Sequence, residues 1–308
     1  MQELQMLTIN LMRNQKFDAL AVGIIDFKLG DFKSFEVHDT NVFSKSPELY
    51  FDMASLTKSM TLAANYLLHP EWFNGDMILL LNHRGGLPAW GRLSGRLSKE
   101  QWRHQINSYP IIPSQTLYSD YSALRLMLEI EKKSGKDFKK LCFEYLDNEI
   151  KFWKDIEDKS KCPITGIRNS KPIQGIVHDD NAHIISEFCS HAGLFGTVNG
   201  VCKTLLTLEK KKQLTNFMSE EFDKKNHERY IAGWDTIEDY SNTLAGDGAG
   251  LKTFGHLGFT GTSIWIDAEK KIGHVILTNA TRDNWYDRKG LNDLRKGIGK
   301  YIWHKRFF

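Results

Sequence analysis

The sequence lacks any apolar run that approaches the length of a membrane-spanning helix. Its first residues, MQELQMLTINLMRNQ, also lack the basic start and apolar core of a signal peptide. They predict an amphipathic helix with Leu4, Leu7 and Leu11 along one side. We therefore expect a cytoplasmic protein without a membrane span. A cleaved export signal is the alternative that the sequence leaves open.

Cysteine is scarce, and no pair of cysteines forms a C-x-x-C motif, which argues against a zinc or redox centre. Scattered thiols in a chain of this length are typical of reduced, buried residues of a cytosolic protein. One polar cluster invites a metal site, but such a cluster is more often a loop with capping side chains. It comprises His178, Asp179, Asp180 and His183. We expect no metal and no cofactor.

The chain also lacks a strong excess of charge of either sign. Lys and Arg number 41 against 38 Asp and Glu, for a net charge of +3. This balance argues against a nucleic-acid binder. The basic run Lys210–Lys211–Lys212 stands among acidic residues and predicts a solvated helix face. The expected partner is a small-molecule or peptide substrate, and the oligomeric state is open.

What remains is the composition of a globular protein, with 41% hydrophobic and 26% charged residues. FDALAVGIIDF (17–27) predicts a buried strand with KSFEVHD (33–39) as its hairpin partner, and 261–280 predicts a second hairpin. YSALRLMLEIEKKSG (121–135) predicts the clearest helix, and 290–306 predicts a terminal one. The stretch 136–230 predicts mostly helices and loops.

Strands at both ends of the chain, with helices between them, predict an α/β (α+β) fold. We expect one antiparallel sheet built from N- and C-terminal strands, flanked by helices, with an inserted helical lobe. The sequence shows no internal repeat and no low-complexity linker, so we expect a single domain over 1–308. Its sheet lobe would span roughly 1–55 and 225–308, and its helical lobe roughly 56–224.

One short stretch, FDMASLTKSM (51–60), places Ser55 and Lys58 three residues apart at the predicted start of a helix. Residues at this spacing share a helix face, so Oγ and Nζ can meet. A lysine acts as a base only where burial or a nearby cation destabilises its ammonium group, and the apolar neighbours favour burial. Taken alone, the pattern is weak, and a capping serine is the better interpretation.

Two further segments favour the nucleophile over the capping serine. QTLYSDYSALRL (115–126) places Tyr118 and Asp120 just before the clearest helix, and FGHLGFTGTSIWID (254–267) places His256 at the head of the second hairpin. In this order the three elements resemble those of the β-lactamase-like serine hydrolases. The resemblance is to the branch that contains class C β-lactamases, D-alanyl-D-alanine peptidases and related esterases.

Other stretches extend the resemblance, and some positions depart from it. LLLNHRGGLPAW (79–90) and VHDDNAHIISEFCSHAGLFGT (177–197) are similar to further family segments. The stretch between Lys58 and Leu79 is shorter than the family usually has, and Arg84 stands where the family often has threonine. These changes bear on the substrate more than on the chemistry.

The resemblance implies a β-lactamase/transpeptidase-like catalytic domain in which Ser55 forms an acyl-enzyme. It implies that Lys58 and Tyr118 handle protons, the cation of Lys58 making Tyr118 a better base, while Asp120 orients Lys58. The backbone N–H groups of Ser55 and Phe259 would form an oxyanion hole. Gly258 and Gly261 would let substrate lie close to an edge strand at the head of the second hairpin. Trp90, Trp234 and Phe254 are candidates for the pocket lining, although scattered aromatics are usually core residues.

His256 replaces the lysine of the family's Lys-Thr-Gly motif. A histidine of ordinary pKa is mostly uncharged at neutral pH, so we expect less fixed positive charge, a preference for neutral esters over β-lactams, and better acylation by anionic substrates towards pH 6. The expected function is a serine acyl hydrolase acting on a small ester, an amide or a peptidoglycan-type peptide. The alternative is a binding module of the penicillin-binding fold that captures a peptide or glycan without efficient turnover.

Overall fold

A computed structural model gives the fold and describes residues 1–13, 15–38, 42–44, 47–95, 97–224, 228–283, 288–305 and 307–308. The α-helices are α1 Gln2–Met12, α2 Leu56–Lys58, α3 Ala64–Leu68, α4 Gly75–Leu81, α5 Lys99–Ser108, α6 Asp120–Ser134, α7 Phe138–Phe143, α8 Asp180–Ile185, α9 Val198–Lys212, α10 Leu214–Asp223 and α11 Arg288–Trp303. The strands are β1 Ala19–Asp26, β2 Asp31–His38, β3 Val42–Ser44, β4 Phe51–Asp52, β5 Ile150–Phe152, β6 Ile167–Arg168, β7 Lys171–Pro172, β8 Leu194–Gly196, β9 Tyr230–Ile231, β10 Trp234–Thr236, β11 Thr253–Leu257, β12 Ser263–Asp267 and β13 Ile272–Thr278.

The main sheet is antiparallel and is built from both ends of the chain, in the order β3-β2-β1-β13-β12-β11-β10-β9. In its centre, Leu20 of β1 lies opposite Val37 of β2 on one side and Thr278 of β13 on the other. The predicted hairpins and the predicted sheet are therefore confirmed. Of the residues assigned to the first hairpin, Asp39 lies outside the described part of the chain.

Strand β1 is apolar throughout because both faces of the sheet are covered. Leu20, Val22 and Ile24 belong to an apolar cluster with residues of α1 and α11. On the other face, a Cβ on Gly23 would lie 2.5 Å from the Cys202 sulfur of α9, so the missing side chain lets that helix pack closely. Burial on both faces explains why the strand shows a continuous hydrophobic run rather than an alternating one.

A second, small sheet leads into the segment of Ser55. Its order is β4-β8-β5, and β4 ends at Asp52, three residues before Ser55. After α2 the helix widens into a π-helical turn over Ser59–Ala63 and continues as α3. Sequence reasoning assigned the region of β5 and β8 to helices and loops, because strands of three residues are too short to show a period.

None of the described helices is both long and apolar enough to cross a membrane. All four cysteines are buried and free: Cys142, Cys162, Cys189 and Cys202. The division of the chain into a sheet lobe and a helical lobe stays a prediction.

Candidate active site

Ser55 stands at the N-cap position of α2, but its side chain does not cap the helix. The Ser55 oxygen instead accepts a hydrogen bond from Lys58 Nζ at 3.0 Å. The residue before it, Ala54, has φ +46°, a left-handed conformation that non-glycine residues seldom adopt. The capping interpretation of Ser55 is therefore wrong, and a tight turn presents a half-buried hydroxyl to a lysine.

Lys58 is buried, and three oxygen atoms surround its ammonium group. Nζ lies 3.0 Å from Ser55 Oγ, 3.1 Å from the His191 carbonyl oxygen and 2.7 Å from Asp120 Oδ1. Burial lowers the pKa of Lys58, but the Asp120 carboxylate and Tyr118 outweigh burial and raise it overall. The expectation that burial destabilises the ammonium is wrong for the free protein, because the carboxylate compensates the buried charge.

The loop over 83–89 holds the start of α6, where Tyr118 and Asp120 lie. The Asp120 N–H donates to the Ala89 carbonyl oxygen at 2.9 Å, and the Ser119 N–H donates to His83 Nδ1 at 3.2 Å. The Ser119 side chain caps α6 by accepting from Ser122 N–H at 2.9 Å. His83 was not singled out from the sequence, although it lies in the family-like stretch LLLNHRGGLPAW.

Tyr118 lies beside Lys58, with Nζ 4.9 Å from its ring centroid. Its hydroxyl is buried, and no described residue gives it a hydrogen bond of ordinary geometry. Burial raises the pKa of Tyr118; Lys58 lowers it, Asp120 raises it again, and the balance is a raised pKa. The resemblance implied a phenol made more acidic by Lys58, and for the free protein that expectation is wrong because burial outweighs the cation.

His256 of β11 is buried and neutral. Its Nδ1 lies 2.9 Å from the Leu257 carbonyl oxygen, which assigns the proton to Nδ1, and its Nε2 has no partner among the described residues. Burial, and then the charge of Lys58, lower the pKa of His256 to about 3. The expectation that His256 gains charge towards pH 6 is therefore wrong for the free protein.

The turn after β11 is tied to the turn that carries Ser55. Thr260 Oγ1 donates to the Asp52 carbonyl oxygen at 2.7 Å, and Thr262 Oγ1 donates to the Met53 carbonyl oxygen at 3.1 Å. Phe259, between Gly258 and Thr260, is 45% exposed. No described residue accepts a hydrogen bond from the Ser55 N–H. The two backbone segments expected to form the oxyanion hole thus face each other across these bonds.

A cavity of about 360 Å³ brings the predicted residues together. Its lining includes Ser55, Tyr118, His256, Gly258 and Phe259. It also includes Arg229, Arg288 and Arg295, which sequence reasoning missed. Arg288 and Arg295 are seven residues apart, which puts them on one helix face. This spacing is the pattern by which the sequence could have indicated them.

These arginines differ in their surroundings. Arg229 makes two hydrogen bonds to Asp235, at 2.9 and 3.2 Å. Arg295 is 5% exposed, donates to the Thr262 carbonyl oxygen at 2.8 Å, and has no carboxylate partner among the described residues. Burial lowers the pKa of Arg295 to about 10, so it keeps its charge at neutral pH. Arg295 therefore supplies fixed positive charge where His256 does not, which corrects the expectation that the cavity has less of it.

Several aromatic candidates do not reach the cavity. Trp90 is 52% exposed and is not among the described residues that line it. Trp234 and Phe254 pack against each other in the core, with ring centroids 5.2 Å apart. The core interpretation therefore holds for Trp234 and Phe254, whereas Trp90 is a surface residue and its assignment to the substrate site is wrong.

The polar cluster after Val177 provides caps and ion pairs. Asp179 caps α8 by accepting from Ala182 N–H at 2.7 Å, and it lies 2.9 Å from His191 Nε2. Asp180 pairs with Arg168 at 3.1 Å. Within the described ranges, no group of three or more His, Cys, Asp or Glu side chains is placed to hold a metal ion.

Several solved structures share the fold of this chain. The structure is similar to a beta-lactamase/D-alanine carboxypeptidase from Pseudomonas syringae (TM-score 0.66, 13% identity, 99% of each chain). It is also similar to EstCE1, a hydrolase with promiscuous acyltransferase activity (0.65, 16%, 98% of each chain). A third similar structure is the octameric penicillin-binding protein homologue from Pyrococcus abyssi (0.65, 18%, 90% of this chain and 73% of that chain).

At these identities the solved structures show the fold alone, and no curated protein sequence matches the chain. A family model described as Beta-lactamase matches residues 77–295. The match includes Tyr118, Asp120 and His256 and begins after Ser55 and Lys58. Because it covers most of the 308 residues, the chain belongs to the beta-lactamase family.

Proposed function

We propose that the protein is a serine acyl hydrolase that works through an acyl-enzyme on Ser55. The observation that carries this proposal is the 3.0 Å hydrogen bond from Lys58 Nζ to a half-buried serine oxygen that caps no helix. In the proposed reaction Ser55 Oγ attacks the acyl carbonyl, the leaving group departs with a proton, and water then releases the acyl group from Ser55.

The charge states around Ser55 support a particular order of proton transfers. In the free protein Lys58 is a cation and Tyr118 a neutral phenol, since the pKa of each is raised. The active form is then the one in which this pair has lost one proton. That form takes the Ser55 proton during attack and passes it to the leaving group. Acylation should therefore become faster as the pH rises above neutral.

The oxyanion that forms on the acyl group needs donors. We assign that role to the backbone N–H groups of Ser55 and Phe259, of which the first has no partner among the described residues. A single donor of this type typically lowers the barrier by about 3 kcal/mol. The buried His256 Nε2 also lacks a partner within the described structure, and a bound substrate can satisfy it.

The cavity favours small acyl donors that carry a carboxylate. Its volume of about 360 Å³ is at the small end for ligand pockets. His256 is neutral, whereas Arg295 on the cavity wall keeps its charge at neutral pH. Esters, amides and peptides with a free carboxylate are therefore the proposed substrate class. The buried, free thiols support the further proposal of a cytoplasmic location.

Turnover of two chromogenic esters tests the proposal. We expect repeated release of p-nitrophenol from p-nitrophenyl acetate and a higher kcat/KM for the carboxylate-bearing p-nitrophenyl succinate. Lys58→Ala should lower kcat by about 10²–10⁴-fold, the usual worth of general acid–base help. Release of a single equivalent that then stops would favour the non-turnover binding module. No release from either ester would contradict the proposed function.

A further inference from the structure

We propose that Asp52 is a positioning residue whose buried carboxylate fixes the Ser55 turn against the segment of Phe259 and so sets the oxyanion-binding geometry. Asp52 is 1% exposed and ends strand β4, three residues before Ser55. It does not line the cavity among the described residues, so it acts through its neighbours. The proposal rests on the proposed function of Ser55.

The first contact of the carboxylate holds the turn itself. Asp52 Oδ1 accepts a hydrogen bond from the Ala54 N–H at 2.9 Å. Ala54 has φ +46°, a conformation that is unfavourable for a residue with a side chain and persists only when the surroundings enforce it. Because Ala54 directly precedes Ser55, this bond controls the direction of both the Ser55 N–H and its hydroxyl.

The second contact reaches the other side of the proposed oxyanion hole. Asp52 Oδ2 accepts from the His178 N–H at 2.7 Å, and the His178 ring lies 5.4 Å from the Phe259 ring. Next to Phe259, Thr260 Oγ1 donates to the Asp52 carbonyl oxygen at 2.7 Å. One buried residue thus contacts both backbone segments that would bind the oxyanion.

The charges around Asp52 make this device sensitive to pH. Burial raises the pKa of Asp52 to about 6; the two backbone N–H donors and Arg168 lower it, and Asp179 raises it. Cys162 is also close, and burial followed by the Asp52 charge raises the pKa of its thiol to about 12, so it stays neutral. Burial lowers the pKa of His178, which keeps that ring neutral as well.

Protonation of Asp52 below about pH 6 removes the charge that strengthens both backbone bonds. Acylation should then fall more steeply on the acidic side, because Asp52 protonation adds to protonation of the Lys58–Tyr118 pair. The plot of log kcat/KM against pH should have a slope near 1 above pH 6 and a steeper slope, between 1 and 2, from about pH 6 down to about pH 5. Stability should change oppositely: a raised native pKa stabilises the fold at low pH, and this contribution is lost as the pH rises through about 6.

Asp52→Asn, measured on p-nitrophenyl acetate from pH 5 to 8, tests the proposal. The variant keeps the shape of the side chain but turns one acceptor into a donor that faces one of the two backbone N–H groups, of Ala54 or of His178. We expect kcat to fall about 10–100-fold with KM within about twofold, as for a misplaced catalytic group, and the extra slope below pH 6 to vanish. Asp267→Asn is the matched control, because Asp267 is also buried and accepts backbone N–H bonds, but at the far end of β12. It should keep the wild-type profile.

A second variant asks whether the effect passes through Ala54. Glycine adopts a positive φ at little cost, so adding Ala54→Gly to Asp52→Asn should restore part of the lost kcat. A double variant as slow as the single one, or a single variant with wild-type kcat and slope, would overturn the positioning role. If Asp52→Asn does not fold, the wild-type profile is the test, and a slope that stays near 1 below pH 6 would also overturn the positioning role. Wild-type protein that releases no p-nitrophenol would instead overturn the proposed function, and the inference with it.

Discussion

At the scale of single residues, the charges around Ser55 are set by burial and by the Asp120 carboxylate. Ser55, Lys58, Tyr118 and Asp120 follow from spacing and resemblance, and the structure brings them within hydrogen-bonding or ring contact. The protonation of Lys58 depends on two opposing effects, its burial and the Asp120 carboxylate 2.7 Å from Nζ. Both effects arise only in the folded protein. The same holds for His256, whose burial lowers its pKa far below the usual value for histidine.

The Lys58–Asp120 pair gives the clearest pH prediction. Asp120 is a main cause of the raised pKa of Lys58 and also raises that of Tyr118. Asp120→Asn should therefore lower both pKa values, since burial then acts on Lys58 without compensation. A base with a lower pKa is available at lower pH, so the rise of kcat/KM with pH should move down by about 1–3 pH units.

The measurement is kcat/KM for p-nitrophenyl acetate from pH 6 to 10. Glu129→Gln is the control, because Glu129 lies on the same helix and its ion pair is with Arg125. It should leave the profile in place. An Asp120→Asn profile that coincides with that of the wild type would show that the Lys58–Asp120 ion pair does not set the pKa of the catalytic base.

At the scale of elements, hydrophobic periodicity predicted the long helices and strands and missed the short strands. The α1, α6 and α11 helices and the hairpins of β1–β2 and β12–β13 correspond to clear patterns in the sequence. The short strands β4, β5 and β8 do not, although β4 delivers the chain to Ser55. The sequence did not predict the π-helical turn after Lys58 either, because its apolar side chains have the spacing of an ordinary helix.

Strand β11 corrects one expectation about Gly258. The sequence suggested an edge strand on which glycine lets substrate approach, yet β11 lies between β10 and β12. Only Phe254 and Gly255 pair with β10, so within the described sheet the end of β11 nearest Gly258 is open on that side. Gly258 is required for internal packing: a Cβ there would lie 1.9 Å from Thr262 Oγ1 and 2.8 Å from the Met53 carbonyl oxygen.

Gly258→Ala should therefore disturb the bond from Thr262 to the Ser55 turn. We expect a loss of about 1–3 kcal/mol in the free energy of unfolding, as for other overpacked sites, and a lower kcat on p-nitrophenyl acetate. Denaturant unfolding and ester turnover measure the two effects. Gly95→Ala is the matched control, because a Cβ at Gly95 meets no atom within 4 Å. Equal stability and turnover in both variants would contradict this account of Gly258.

At the scale of the whole molecule, the site depends on segments far apart in the chain. Ser55 and Lys58 come from the N-terminal part, Tyr118 from the helical middle, and His256 and Arg295 from the C-terminal part. The antiparallel pairing of β1 with β13 joins the N-terminal and C-terminal parts of the chain in one sheet. Sequence order predicted this assembly, whereas the arginine-lined wall required the packed position of α11, which no local pattern supplies.

The central claim is that Ser55 is the nucleophile, and intact-mass analysis after exposure to a fluorophosphonate tests it most directly. The wild type should gain the mass of one adduct, located on the peptide that contains Ser55. Ser55→Ala should gain none while keeping its fold. Ser59→Ala should label like the wild type, because Ser59 is fully buried and donates to the Leu56 carbonyl oxygen at 3.0 Å. An adduct on Ser55→Ala, or a wild type that never labels, would contradict the claim.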